Sequence, residues 1–247
     1  MTGTSASAPA PAPGPVPSWY FREYAPVGVD LGSADAVADF DRNQGTDPAA
    51  DDALLDRLGV TAGTRLVDMA CGTGSLVVRA ALRGAEAHGV DVSPEMLGFA
   101  RRRAAAAAPP ATPGWHHAGF LDHVHPADRP ADVVTTKSAL HQLPDFFKQQ
   151  ALRRMAAMLR PGGTLYLWDV IFSFDPDDAD AEVARWLDAA GRPAGEGFTR
   201  EDFEVHVREE FSTYAWIIEG MLERAGLEIT DRAHPRHTHA EYVCRRR

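Results

Sequence analysis

Residues 65 to 74, Arg-Leu-Val-Asp-Met-Ala-Cys-Gly-Thr-Gly, constrain this chain more than any other stretch. A short apolar run ends in Asp68 and empties directly into a loop containing Gly72 and Gly74, which is how a buried strand meets a nucleotide-like ligand. Glycine lets the backbone pass close beneath a ligand where a Cβ would collide, and the helix predicted from Ser75 turns its free N–H groups toward the same place. A second short strand, Ala87 to Asp91, follows one helix later and also ends in a carboxylate. Asp91 stands 17 residues beyond Gly74, near the distance at which a strand-end acid reaches a ribose diol.

Composition narrows the remainder. The chain has 247 residues with 45% hydrophobic content, enough for one substantial core. A formal charge of −10 argues against a sequence-independent nucleic-acid surface or an anionic-membrane surface, both of which need concentrated Lys and Arg. The triplet Arg101-Arg102-Arg103 spreads around a helix axis and reads as a solvated face. Cys71 and Cys244 are too few for a disulfide framework and lack metal or redox spacing. The reading is a cytoplasmic protein without a membrane span, acting on a small molecule rather than nucleic acid, as a monomer or homodimer. Residues 1–17, rich in Ala, Pro, Ser and Gly, read as a disordered leader, and residues 18–247 as a single domain.

Along that domain the pattern alternates. Residues 18–59 read as a helical N-terminal cap, with Trp19, Tyr20, Phe21 and Tyr24 clustered and a helix from Asp47 to Leu58. Strands are expected at Arg65 to Met69, Ala87 to Asp91, Gly114 to Ala118, Ala131 to Thr136 and Thr164 to Ile171. Helices are expected at Ser75 to Arg83, Pro94 to Ala108 and Phe146 to Leu159. That cadence predicts a parallel, doubly wound α/β sheet. After Ile171 the rhythm breaks into two acidic amphipathic helices, Asp177 to Ala190 and Arg200 to Glu210, which form a helical insertion over residues 172–213. A helix from Tyr214 to Arg224 and two closing strands, Leu227 to Thr230 and Ala240 to Cys244, complete the chain.

Four ordered motifs now stand together: Val67 to Gly74, Gly89 to Leu97, Asp132 to Pro144, and Leu159-Arg160-Pro161-Gly162-Gly163. In their order and spacing the chain resembles the class I S-adenosylmethionine-dependent methyltransferases of small-molecule type, from about Leu54 to Cys244. The resemblance implies a Rossmann-like, mostly parallel seven-stranded sheet whose antiparallel last strand lies beside the fifth. It implies S-adenosyl-L-methionine as cofactor. The loop Asp68, Ala70, Cys71, Gly72 and Gly74 would hold the methionine part, Asp91 the ribose hydroxyls, and Val92 and Met96 would sandwich the adenine. Gly119, Phe120 and Leu121 would offer backbone N–H groups to the ring, with Thr136 and Lys137 closing the site at the end of the fourth strand. Phe120 replaces a frequent Asp that accepts from the adenine amino group, so that bond is either lost or supplied by Asp122. A nicotinamide-binding alternative wants a third glycine three residues after Gly74, where this sequence has Val77.

The activated methyl group of such a cofactor needs a nucleophile held in line and stripped of water, and little catalytic apparatus. The loop from Thr136 to Pro144 is expected beside it. His141 there is either a general base or a structural histidine. Lys137 either pairs with a carboxylate or extends to solvent. Asp169 either accepts from a substrate or caps the following loop. Tyr20, Tyr24 and Tyr214, with His141 and Asp169, are candidates for the acceptor site. The acidic helices read as solvated faces, and His123-x-His125 and His237-x-His239 lack the further ligands that a bound metal requires. The function read from these features is methyl transfer to an N, O or C nucleophile of a small molecule. One alternative uses another carbon of the same cofactor, by cyclisation or aminocarboxypropyl transfer, and another is a non-catalytic binding module.

Overall fold

Period-two alternation in the apolar strands builds a sheet buried on both faces. A computed structural model of the chain describes residues 18–24, 33–44, 46–193 and 195–247. The expected leader at residues 1–17 and residues 25–32 of the expected N-terminal cap lie outside the described residues. In strand β1 (Arg65–Met69), Val67 and Met69 enter one core cluster while Leu66 enters the other, and in β4 (Ala131–Lys137) Val134 and Val133 divide the same way. The strands β2 (Glu86–Asp91), β3 (Gly114–His117), β5 (Leu159–Phe172), β7 (Leu227–Arg236) and β8 (His239–Arg246) complete the order β3-β2-β1-β4-β5-β8-β7. All pairings from β3 to β5 are parallel, and β8 runs antiparallel between β5 and β7, as expected for the closing hairpin.

Helices α2 (Pro48–Arg57) and α3 (Ser75–Leu82) cover one face, where Leu55, Leu76 and Val77 pack on Leu66 and Val133. On the other face α5 (Asp145–Met158) and α8 (Ala215–Arg224) bring Leu152, Met155, Ile218 and Leu222 onto Leu165, Leu167 and Tyr242. Caps fix where the helices begin. The Asp47 side chain accepts from Ala49 N at 2.9 Å, and in α4 (Pro94–Ala107) Ser93 Oγ accepts from Met96 N at 3.1 Å. Proline occupies the first turn in both, where its missing N–H costs nothing.

The sheet differs from expectation in two places. The Arg160-Pro161-Gly162-Gly163 turn does not end α5 and start a separate strand. It loops out within β5, between the Leu159–Ala131 and Thr164–Val133 pairs, and Arg160 Nε ties it to Asp132 at 2.6 Å. An eighth, two-residue strand, β6 (Thr213–Tyr214), pairs parallel with the end of β5. It anchors the insertion, whose helices α6 (Ala179–Ala190) and α7 (Arg200–Glu209) hold a small aromatic core: Trp186 packs on Phe203 and His206, and Phe172 on Phe174 and Tyr214.

Gly74 shows how closely β1, α3 and α4 approach. Its φ is +74°, and a Cβ there would lie 2.6 Å from the Trp115 ring and 2.7 Å from Ala100 Cβ. Gly74→Ala combines left-handed backbone strain with overpacking, so an expected loss of about 2–4 kcal/mol should appear in urea denaturation.

Candidate functional site

The carboxyl ends of the parallel strands open into a cavity of about 430 Å³, including its mouth, lined by Ala70, Asp91, Val92, Ala118, Gly119, Phe120, Ala139, Gln142 and Leu143. Phe21 and Glu23 from the N-terminal segment complete the wall. Such a crevice outside strand ends is where open α/β sheets place ligands.

Asp91 organises one end. One carboxylate oxygen accepts from Gly72 N at 2.8 Å and the other from Ser93 N at 2.9 Å, so the acid joins the glycine loop to the start of α4. Burial raises its pKa above the usual carboxylate range, against the pull of those N–H groups. Ala70 holds φ +56°, a conformation that costs a non-glycine residue about 1–2 kcal/mol. A Cβ at Gly72 would meet no protein atom within 4 Å. The space beside the loop at Gly72 is open, whereas Gly74 is seated against Trp115 and Ala100.

Helix α1 (Ala34–Gln44) clamps this loop from outside. The Arg103 guanidinium reaches both Asp41 oxygens, at 2.9 and 2.7 Å, and the Thr73 carbonyl at 3.0 Å, while Thr73 Oγ1 donates to Asp41 at 2.6 Å. The arginine triplet thus does more than solvate a helix face. Behind the loop, Asp68 accepts from Thr135 Oγ1 at 2.6 Å and is pushed up to about 7 by burial. Neither Asp68, Cys71, Met96 nor Thr136 reaches the cavity wall; the Cys71 thiol lies where a Cβ on Gly89 would be, at 2.7 Å. Lys137 turns to α2 and pairs with Asp51 at 3.2 Å, so it is not aimed at a ligand carboxylate.

The backbone N–H groups expected to face an adenine are already engaged. Phe120 N and Leu121 N donate to the two oxygens of Glu23, at 2.7 and 2.8 Å. Burial raises the Glu23 carboxyl to about 7, although both N–H bonds oppose the shift. Asp122 accepts from Gly119 N at 2.6 Å and from Tyr24 Oη at 2.5 Å. Tyr24 therefore stands at this edge rather than at an acceptor site.

Behind Ala139, Gln142 and Leu143 of the cavity wall, the buried His141 sits in a short 3-10 turn after β4 (Leu140–Gln142), and its Nδ1 donates to Asp169 of β5; neither side chain lines the cavity itself. Asp169 also accepts from His141 N at 3.1 Å and Val170 N at 2.7 Å, which fixes both side chains. The His141 Nε2 lies 3.0 Å from Glu210, and His206 Nδ1 lies 2.6 Å from the same oxygen. Burial disfavours charge on the imidazole, but Asp169 and Glu210 outweigh it and raise His141 to about 9. Burial likewise works against Glu210 ionising, yet the two imidazoles lower it to about 2. His141, His206 and Glu210 have donor atoms within 4.8 Å of one another, and the protonated His141 itself supplies positive charge between the two carboxylates.

The structure thus brings His141 and Asp169 together and leaves Tyr214 among Phe172 and Phe174 of the insertion and Trp216 of α8. Tyr20 packs edge-on against Phe147, with its hydroxyl 3.4 Å from the Leu121 carbonyl. Glu210, expected on a solvated helix face, is instead buried against His141, and Phe211 N donates to the His141 carbonyl at 2.8 Å. Glu23 carried no motif signal. The pairs His123/His125 and His237/His239 do not converge: His125 bonds the Arg129 carbonyl and His237 pairs with Glu182.

Known proteins share this architecture. A family model described as a methyltransferase domain matches residues 66–163, from the glycine loop to the Arg160–Gly163 loop. The 27-O-demethylrifamycin SV methyltransferase of Amycolatopsis mediterranei is 29% identical over 159 residues, covering 64% of this chain and 57% of that protein. A ubiquinone biosynthesis O-methyltransferase of Aeromonas salmonicida is 32% identical over 120 residues, covering 49% of each. The chain spans about half the length of these curated relatives. The structure of magnesium protoporphyrin IX methyltransferase from Synechocystis PCC 6803 with bound SAH superposes with a TM-score of 0.60 over 91% of both chains, at 17% identity, a likeness of fold. The strand order and the motifs agree with this match of a methyltransferase domain over residues 66–163.

Proposed function

We propose that the protein binds S-adenosyl-L-methionine in the cavity lined by Asp91 and by Ala139, Gln142 and Leu143 of the turn that carries His141, and transfers its methyl group in line to a small-molecule acceptor. The observation that carries this reading is the paired geometry at Asp91: a buried carboxylate at a strand end, and beside it a left-handed loop that leaves open space at Gly72. The cofactor supplies an electrophilic methyl carbon on a sulfonium. Asp91, carrying two N–H bonds, keeps lone pairs for a ribose diol. Ala70 borders the room for the amino-acid part, with open space at the neighbouring Gly72, and Val92 with the Ala118–Phe120 backbone borders the base.

His141 is the proposed proton acceptor, positioned by Asp169. With Glu210 against its Nε2 the imidazole is protonated at neutral pH and cannot serve as a base. An acceptor hydroxyl or amine reaching Nε2 displaces Glu210, and withdrawal of that carboxylate lowers the imidazole pKa toward the working range. Binding of the acceptor and arming of the base are then one event. A small acceptor agrees with the net charge of −10, and among the described residues no helix is long and apolar enough to cross a membrane.

Incubation of the purified protein with S-adenosylmethionine and a panel of hydroxylated or amino metabolites tests the reaction. S-adenosylhomocysteine should form only with an acceptor present, and methylthioadenosine formed without one contradicts it. Asp91→Ala should weaken S-adenosylhomocysteine binding by about 1.5–3 kcal/mol in calorimetry, the scale of a hydrogen bond to a charged group. His141→Ala should leave that affinity unchanged and lower kcat by about 10²–10⁴-fold.

The folded pKa of His141, about 9, exceeds its ordinary 6.5, so the stability its charge contributes is complete below 6.5 and lost as pH rises through 9. Imidazole NMR should show His141 titrating near 9 in the wild type and distinctly lower in Glu210→Gln, whose unfolding free energy should fall less over the same interval.

A further inference from the structure

The cavity is lined by two carboxylates, and only one of them lies in the cofactor motifs. Asp91 stands at the loop end; Glu23, from the segment before the first helix, stands against the Gly119–Leu121 backbone. That backbone is the stretch expected to face the base. Phe120 cannot accept from the base, since its ring is 6% exposed and packed in the main core cluster. Asp122 does not line the cavity: it is exposed, with its oxygens turned to Gly119 N and Tyr24 Oη.

We propose that Glu23 is the residue that reads the base: its carboxylate accepts the exocyclic N–H of the adenine and gives the site its preference for an adenosyl over an inosyl group. This rests on the cofactor reading above. A carboxylate offers about four lone-pair sites, and Phe120 N and Leu121 N occupy one on each oxygen. Further donors can bind without breaking those bonds, and the N–H groups aim the acid at the cavity wall. A Cβ on Gly119 would come within 2.5 Å of a Glu23 oxygen, which shows how closely the acid is seated.

The surroundings leave Glu23 short of partners. Asp122 repels its charge, and Arg154, which attracts it, makes its hydrogen bond at 2.8 Å to the His123 carbonyl instead. Burial of a carboxylate with two neutral donors and, among the described residues, no ion pair is costly, and a ligand amine supplies a further donor. Tyr20 and Phe21 on the same segment pack on Phe147, so the acid is delivered by a segment docked on the α5 side of the cavity.

Calorimetry on the full chain with S-adenosylhomocysteine and S-inosylhomocysteine tests this, using wild type, Glu23→Ala and Glu23→Gln, with circular dichroism to establish that each is folded. The wild type should prefer the adenosyl compound by about tenfold or more. Glu23→Ala should bind the adenosyl compound about tenfold more weakly and discriminate by less than about threefold. In Glu23→Gln the amide carbonyl faces the two N–H groups and the NH₂ faces the ligand, so the preference should shift toward the inosyl compound, whose exocyclic carbonyl oxygen accepts. Unchanged discrimination in both variants overturns the assignment while leaving the cofactor reading intact. Tighter adenosyl binding by Glu23→Ala also overturns it, and shows that the segment obstructs the site instead. Wild-type protein that binds neither compound removes the cofactor reading, and this assignment with it.

Discussion

The site depends on one buried acid. Asp91 leaves the end of β2, gives up bulk water, and gains the N–H groups of Gly72 and Ser93. Those two bonds fix the left-handed loop after β1 and the first turn of α4 relative to each other. Without them the loop has no reason to hold Ala70 and Gly72 at positive φ, and the room beside Gly72 is not defined. The raised pKa of Asp91 records a desolvation cost that two neutral donors offset only in part. A ligand with paired hydroxyls completes that shell, which is why the geometry favours a ribose over an anionic group. A pyrophosphate would place negative charge against an unpaired carboxylate.

A second set of acids works by the opposite arrangement. Asp169 and Glu210 flank His141 and hold it charged, and Glu210 arrives from the insertion rather than from the sheet. Lys148, almost fully buried in α5, donates to Asp145 at 2.8 Å and to the Phe211 carbonyl, fastening the end of the insertion over the same histidine. The His141 side is therefore closed by contacts from the insertion, whereas the Asp91 side is built into the ends of β1 and β2.

This division explains what the sequence made legible. Strands β1, β2 and β4 are buried on both faces, so their apolar runs and strand-end acids mark them in one dimension, and Asp91, Ala70 and Gly72 take their places from backbone geometry alone. Glu23 and Glu210 escape such reading because their positions are set by tertiary docking. One lies before α1, 97 residues from the backbone it caps at Phe120, and the other ends an amphipathic helix whose polar face looks solvated until the insertion folds back. Lys137 misleads in the same way: its strand-end position points to the ligand, and its side chain finds Asp51. The looped-out Arg160–Gly163 segment was visible as a turn, but that β5 continues on both sides of it depends on pairing with β4.

A crystal structure of the protein with S-adenosylhomocysteine tests the central claim most directly. The account predicts both ribose hydroxyls within hydrogen-bond distance of Asp91, with the homocysteine portion in the space beside Gly72. A nucleoside lodged elsewhere, or its sugar turned away from Asp91, would contradict it.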